Sequence, residues 1–180
     1  MQNFEIRRPR IEDTLSINDF FSLVINDTYT QEGLGERLKD ILDEIETKKA
    51  FLQSDISQRL NHRHFLIALL DGEVIGTAEY GTPNEIIRDL PGDPYKELVE
   101  IGTVFVHPEK QGRGIGSQLL HALFITLKEH GIEEFCLDSG YTKAKLIWRK
   151  KFGDPAHILK DYWGPGFDHF IWHVKIHELI

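Results

Sequence analysis

Three glycines at alternate positions, directly after an alternating apolar run, constrain this chain more than any other feature. Residues 104–107 read Val-Phe-Val-His, and Gly112, Gly114 and Gly116 follow a short polar stretch. A helix-type apolar pattern then begins, carried by Ile115, Leu119, Ala122, Leu123 and Leu127. The order predicts a strand, a glycine-rich turn and a helix N-terminus. Main-chain N–H groups and the positive end of the helix dipole meet there, so the sequence predicts a phosphate or pyrophosphate site.

The glycine spacing distinguishes this turn from two other phosphate-binding turns. A dinucleotide-binding turn needs a glycine where Ser117 stands, and no G-x-x-x-x-G-K-[ST] run occurs in the chain. Residues 111–116, after Val-x-Val-His-Pro, instead resemble motif A of the GCN5-related N-acetyltransferases (GNAT). The resemblance implies that main-chain amides hold the pyrophosphate of acetyl-CoA. The implied cofactor-binding residues are Gln111, Gly112, Arg113, Gly114, Ile115 and Gly116. The alternative is a glycine-rich connection without a ligand.

Composition limits the classes of partner. The chain has 180 residues and a formal net charge of −8, which fits one domain over 1–180, disfavours nucleic acid and suits a cationic substrate. The single cysteine, Cys136, excludes an internal disulfide and lies in an apolar run that predicts an inert, buried position. There is no signal-peptide core, and the longest apolar run, 65–70, is too short to cross a bilayer. We therefore expect a cytoplasmic protein without a membrane partner.

The first third of the chain has the periodicity of a short strand followed by helices. Phe4 and Ile6 alternate with polar residues and predict a strand. A capping box at 16–19 predicts the start of the first helix. Apolar spacing from Leu34 predicts a second helix, and residues 51–60 either extend it or form a third.

The rest of the chain is strand-rich. Asp71-Gly72 between two apolar runs predicts a hairpin, 81–97 reads as a long loop, and a last strand is expected at about 167–176. The complete order, β-α-α-β-β-β-α-β-α-β-β, resembles the whole acetyltransferase fold. That resemblance implies an α/β class with a mixed, mostly antiparallel twisted sheet flanked by helices.

The resemblance also implies a reaction. In this family an amine attacks the acetyl-CoA thioester directly, and a main-chain N–H of the motif strand, here near Phe105 or Val106, polarises the carbonyl. The pantetheine arm pairs with the same strand. Glu100 on this strand is the leading candidate for the base, and Glu79 on the preceding strand is the second.

The chain departs from the family pattern at the general acid. Trp148 stands where many members carry a tyrosine, and tryptophan cannot protonate a thiolate. Tyr141 or Tyr162 could substitute, or the thiolate could leave without an acid. The departure keeps open a non-catalytic domain that binds or senses acyl-CoA.

Basic residues and the acceptor site are less well defined by the sequence. Lys143 and Arg149, on the helix after the second motif strand, either contact the cofactor phosphates or lie on a solvated face. An acidic loop at 81–97 and aromatic residues at 162–172 would suit a small-molecule amine or a peptide N-terminus. A homodimer is compatible with the resemblance.

Three histidines are spaced by four residues near the end of the chain. On a helix, His169, His173 and His177 would form a metal-binding face, but Phe170 and Trp172 alternate with them as in a strand. Strand geometry places successive members of the set about 13 Å apart, too far for one ion. We therefore expect no metal site and three histidines on one polar face.

Overall fold

The structure, a computed structural model, describes residues 3–57 and 63–179. Apart from the short helix Glu85–Arg88, its larger elements follow the predicted order. They are β1 (Phe4–Arg7), α1 (Thr14–Gln31), α2 (Leu38–Ser57), β2 (His64–Leu70), β3 (Glu73–Gly81), α3 (Glu85–Arg88), β4 (Val99–Val106), α4 (Ile115–Glu129), β5 (Glu134–Ser139), α5 (Thr142–Phe152), β6 (His157–Leu159) and β7 (His169–Lys175). None of the helices in the two described ranges is long and apolar enough to cross a bilayer.

The strands form one sheet in the order β1-β2-β3-β4-β5-β7-β6. β1 with β2, β2 with β3, β5 with β7 and β6 with β7 are antiparallel, whereas β4 and β5 are parallel. The predicted class, a mixed and mostly antiparallel sheet flanked by helices, is confirmed. The chain divides into two compact units, residues 1–80 with 103–126 and residues 81–102 with 127–180. That the chain is a single domain stays a prediction.

In the first unit, the packing of α4 depends on a glycine in β3. A Cβ atom on Gly76 would lie 2.8 Å from Leu119 Cδ1, 3.1 Å from the Phe105 carbonyl oxygen and 3.2 Å from Ile115 Cγ2. A side chain would therefore collide with both α4 and β4. Glycine at this position lets the first two turns of α4 pack directly against β3.

In the second unit, α3 and the segment that follows it pack on β5 and β7. Ile87, Leu90, Tyr95, Cys136 and Ile171 form a buried cluster there. Trp148 of α5 is also buried and stacks on Phe152, with ring centroids 5.8 Å apart. The residue that departs from the family pattern is thus a core residue.

The predicted start of α1 is wrong. The helix begins at Thr14, two residues before the capping box, and a short 3-10 turn precedes it. Asp13 accounts for this start, because its carboxylate accepts hydrogen bonds from the Arg10 main-chain N–H at 2.7 Å and from both terminal nitrogens of Arg7. The Arg7 guanidinium holds the pKa of Asp13 below its ordinary value.

Other local predictions had mixed outcomes. The Asp71-Gly72 hairpin is confirmed, and α2 continues to Ser57, so 51–57 extend the second helix; Leu60 lies outside the described residues. The predicted loop at 81–97 is wrong in part, because it contains α3. The predicted order ends in two strands after α5, as observed, but no residue pattern located the first of them, β6.

Candidate functional site

The glycine-rich turn lies between the end of β4 and the start of α4. The strand is tied to β3 by the His107 N–H, which donates to the Ile75 carbonyl at 2.9 Å. Gln111 folds back across the turn, and its side-chain amide donates to the Val106 carbonyl at 3.2 Å. Gly112 and Gly114 have φ values of 74° and 80°, a conformation that glycine adopts without steric cost. The predicted strand, turn and helix are therefore present.

The start of α4 supplies hydrogen-bond donors. The Gln118 N–H donates to the Gly114 carbonyl at 3.0 Å, which closes the first turn. The N–H groups at the start of a helix have no acceptor within it, and the dipole adds positive character. The Arg113 side chain is exposed beside these groups. Such an arrangement can bind an anion on main-chain amides.

Thr103 in β4 has an unusual backbone conformation. Its φ is +49°, and within 3–57 and 63–179 it is the one non-glycine residue in a strand with a positive value. A β-branched residue in this region is an outlier that costs about 1–3 kcal/mol. Thr77 Oγ donates to the Thr103 carbonyl at 2.8 Å, and Thr103 Oγ donates to Glu79 Oε1 at 3.0 Å. Two side chains of β3 therefore hold both the main chain and the side chain of Thr103.

Glu79, the second candidate for the base, is a buried and paired carboxylate. It is 2% exposed, and its other oxygen accepts a hydrogen bond from Arg63 at 2.9 Å. The Arg63 guanidinium also lies over the Phe51 ring, 3.3 Å from its centroid. Both Glu79 oxygens thus have protein partners, one of them a cation.

Glu100, the leading candidate, lies in β4 opposite Cys136 of β5. The described pairing between these strands covers only Val99 and Glu100, the first two residues of β4. Glu100 Oε2 accepts from the Asn84 main-chain N–H at 2.6 Å, and Oε1 accepts from the Asn84 side-chain amide at 3.0 Å. The carboxylate is therefore oriented by the residue that caps α3.

A chain of hydrogen bonds continues from Asn84. Its amide also donates to Asp138 at 2.8 Å, Asp138 contacts His169 Nε2 at 2.9 Å, and Trp163 donates to His169 Nδ1 at 3.1 Å. An indole N–H is only a donor, so Nδ1 must be the acceptor and the ring hydrogen lies on Nε2, pointing to Asp138. The sequence analysis did not predict these hydrogen bonds, because the four residues that form them come from separate segments of the polypeptide.

The predicted polar face of three histidines is wrong. His169 is 4% exposed, and it can be buried because Trp163 and Asp138 provide hydrogen-bond partners for both of its ring nitrogens. His173 is exposed and contacts Glu134 at 2.6 Å, whereas His177 lies in a 3-10 turn after β7. No group of three or more His, Cys, Asp or Glu side chains arranged to hold a metal occurs among the described residues.

The two candidate tyrosines lie in different settings. Tyr141 is the N-cap residue of α5, and its main-chain N–H donates to Ser139 Oγ at 3.0 Å. Tyr162 is 47% exposed, and its ring contacts Trp163 and His169. Both tyrosines lie in the second unit. Tyr162 lies beside the hydrogen bond between Trp163 and His169.

Two basic side chains of α5 were predicted to contact a cofactor or to lie on a solvated face. Lys143 is exposed, and Arg149 forms an exposed ion pair with Asp154 at 2.7 Å. Lys145 donates to the Asp168 carbonyl at 2.9 Å. Contacts of Lys143 and Arg149 with a cofactor stay predictions.

The prediction of a buried Cys136 is confirmed. The side chain is fully buried in β5. Burial, together with the charges of Glu100 and Asp138, raises the pKa of this thiol far above its ordinary value. A thiol that stays protonated is a poor nucleophile, so Cys136 does not carry the chemistry.

The chain is similar to a known protein family and to several solved structures. The Acetyltransferase (GNAT) family profile matches residues 36–153, more than half of the chain. PaiA N-acetyltransferase from Thermoplasma acidophilum, solved with coenzyme A, has 21% identity and a TM-score of 0.70 over 96% of this chain and 99% of that one. Ribosomal-protein-alanine N-acetyltransferase from Brucella melitensis has 20% identity and a TM-score of 0.68 over 95% and 99%.

A third solved structure, yncA from Salmonella typhimurium, holds acetyl-CoA. It has 18% identity and a TM-score of 0.66 over 97% of this chain and 94% of that one. No curated protein matches the sequence of the chain.

Proposed function

The chain belongs to the Acetyltransferase (GNAT) family, and from this premise we propose that it transfers an acetyl group from acetyl-CoA to a primary amine by direct attack. The observation that carries the proposal is the turn before α4, where Gly112 and Gly114 have positive φ values and expose main-chain donors. The coenzyme A and acetyl-CoA complexes of PaiA and yncA support the choice of donor.

The first unit supplies the donor side of the reaction. The pyrophosphate would bind the N–H groups from Gly112 to Gly116, with Arg113 adding charge. A main-chain N–H at Phe105 or Val106 would donate to the thioester oxygen and stabilise the negative charge that develops there. Both residues lie on β4 directly before the turn.

Transfer itself needs one base. The amine nitrogen attacks the carbonyl carbon, a C–N bond forms, and the C–S bond breaks when the tetrahedral intermediate collapses. We assign the amine proton to Glu100, whose carboxylate is oriented by Asn84. The thiolate takes a proton from Tyr141, from Tyr162 or from water.

The acceptor belongs to one of two chemical classes. A small-molecule amine and a peptide N-terminus both fit an acidic chain with a net charge of −8. The Brucella melitensis neighbour, by name a ribosomal-protein-alanine N-acetyltransferase, supports the peptide option. Activity with polyamines or aminoglycosides would indicate the small-molecule option, and activity with short peptides the peptide option.

The proposal is tested by thiol release from acetyl-CoA across polyamines, amino acids, aminoglycosides and short peptides. Gly114→Trp should abolish the signal by filling the turn. Gly131→Trp is the matched control, because Gly131 follows the other end of α4, has a φ of 73° against 80° at Gly114, and is equally open. Acetyl-CoA binding without thiol release in the presence of any amine would instead favour the non-catalytic acyl-CoA-binding domain, which the buried Trp148 motivates.

The assignment of the base has its own test. Glu100→Gln should lower kcat about 100-fold or more, as removal of a general base does, while the affinity for acetyl-CoA is kept. Glu97→Gln, an exposed carboxylate three residues earlier, is the control. Equal turnover in the two variants would remove Glu100 from the mechanism.

A further inference from the structure

The positive φ of Thr103 lies in the strand that carries the proposed oxyanion donors. A left-handed residue within a strand interrupts the alternation of side chains and main-chain groups, and such irregularities often occur beside active sites. Phe105 and Val106 follow two and three residues later. A change in the backbone angles of Thr103 would therefore turn the strand that leads to their N–H groups.

The contacts that hold this conformation are buried and specific. Thr77 and Glu79 are two residues apart on β3, so both point to the same face of the strand. They are 0% and 2% exposed. Thr77 donates a hydrogen bond to the Thr103 carbonyl, and Glu79 accepts one from the Thr103 hydroxyl. The same threonine is thus fixed at two atoms by groups that water does not reach.

Arg63 compensates for the burial of the Glu79 carboxylate. A buried carboxylate needs a cation or several donors, and Arg63 lies 2.9 Å from Glu79 Oε2. The pair leaves Oε1 for the Thr103 hydroxyl, at 3.0 Å. An apolar residue at position 79 would fill the core without fixing Thr103, so packing alone does not explain a carboxylate here.

We infer that Glu79, supported by Arg63 and Thr77, is a positioning residue: it holds Thr103 in the left-handed conformation that aims the β4 N–H groups at the thioester carbonyl. The inference rests on the proposed function and gives Glu79 a role other than that of a base. Glu79 acts through Thr103 and does not touch the substrate.

The test reads the carbonyl directly and needs no acceptor. The infrared band of acetyl-CoA labelled with ¹³C at the carbonyl should shift to lower frequency on binding to the wild-type protein, because a hydrogen bond weakens the C=O bond. Thr103→Val keeps the side-chain shape but removes the hydroxyl, and should lose most of the shift. Thr103→Ser, which keeps the hydroxyl, should retain it, and Glu79→Leu, which leaves the hydroxyl without its acceptor, should behave like Thr103→Val.

Two controls separate positioning from loosening of the fold. Thr28→Val removes a hydroxyl that donates within α1 at 2.9 Å, and should keep the shift. Coenzyme A, which lacks the acetyl carbonyl, should bind Thr103→Val within about threefold of the wild type, because the pyrophosphate contacts are unchanged. With an active amine, kcat of Thr103→Val should fall about 10- to 100-fold at similar KM for acetyl-CoA.

The outcomes that overturn the inference are distinct from those that overturn the function. A wild-type shift that survives in Thr103→Val, or that Thr28→Val also abolishes, refutes the role of Glu79 and leaves the acetyltransferase proposal standing. A wild-type protein that binds acetyl-CoA with no shift refutes the assignment of the β4 donors. Failure of the wild type to bind acetyl-CoA refutes both.

Discussion

The alternate glycines before and within α4 should respond to substitution in opposite directions. Gly114 has a φ of 80°, and a Cβ atom there would meet nothing within 4 Å. Gly116 lies inside α4 without a positive φ, and its Cβ would lie 3.5 Å from Val106 Cγ2, an ordinary contact. Alanine is therefore strained at the first position and accommodated at the second.

The magnitudes follow from the backbone. Gly114→Ala forces an alanine into the left-handed region, at a cost of about 1–2 kcal/mol. Gly116→Ala removes a glycine from a helix and should gain about 0.5–1 kcal/mol. The two variants should therefore differ by about 1.5–3 kcal/mol, which for a chain of this size corresponds to about 3–12 °C in Tm.

The assay is thermal unfolding of both variants beside the wild type, followed by calorimetric titration with coenzyme A. The Gly114 methyl group would occupy the open turn, so the affinity of Gly114→Ala should fall about tenfold or more, equivalent to about 1.4 kcal/mol. The Gly116 methyl group would face Val106, and the weakening should be much smaller. Tm values that shift in the same direction, or equal affinities, would refute the reasoning about this turn.

Three further predictions concern other parts of the chain. Arg7 lowers the pKa of Asp13 in the folded protein below its ordinary value of 3.8, so their ion pair stabilises the fold above pH 3.8 and loses this effect as the pH falls through the folded-state pKa. Asp13→Asn should therefore flatten the acid side of a plot of urea midpoint against pH, and an unchanged plot would contradict this. Cys136 should react with a thiol reagent only after unfolding, because burial raises its pKa; rapid labelling of the native protein would show that it is accessible. A Cβ on Gly140 would lie 2.5 Å from Trp163 Nε1, so Gly140→Ala should destabilise the protein by about 1–3 kcal/mol in urea and alter its tryptophan fluorescence, and wild-type values for both would rule out this packing.

The local part of the site could be predicted from the sequence. Gly112 and Gly114 required a turn with positive φ, and the apolar spacing from Ile115 required a helix, so a few residues encoded the strand, turn and helix. The Asp71-Gly72 hairpin was predictable for the same reason. These features depend on backbone preferences that act over a few residues.

Short elements were missed, as α3 was, or not located, as β6 was, because their signals are weak or compete with others. β6 has three residues, too few for a period-two pattern to be recognised. α3 has four, and its Asn84 cap lies among prolines and glycines typical of loops. α1 starts early because Asp13 binds Arg7, a contact across six residues that a capping rule does not include.

The geometry around the proposed donors could not have been predicted locally. Threonine favours ordinary strand conformations, so nothing in the sequence marks Thr103 as left-handed. Glu79 holds it from 24 positions away. His169 is buried for a similar reason, because its partner Asp138 is 31 residues distant. Such contacts exist only once the sheet has formed.

The hydrogen bond between Thr103 and Glu79 has a consequence for how this protein can diverge. Replacing the threonine alone leaves one oxygen of the buried Glu79 carboxylate without its hydrogen-bond donor, and replacing the carboxylate alone removes the acceptor that holds a strained threonine, so each single step is costly. Glycine at position 103 would accept the same φ unaided and make the acid at position 79 dispensable. We therefore expect the two positions to be inherited as a pair, with related sequences retaining both residues or having exchanged both.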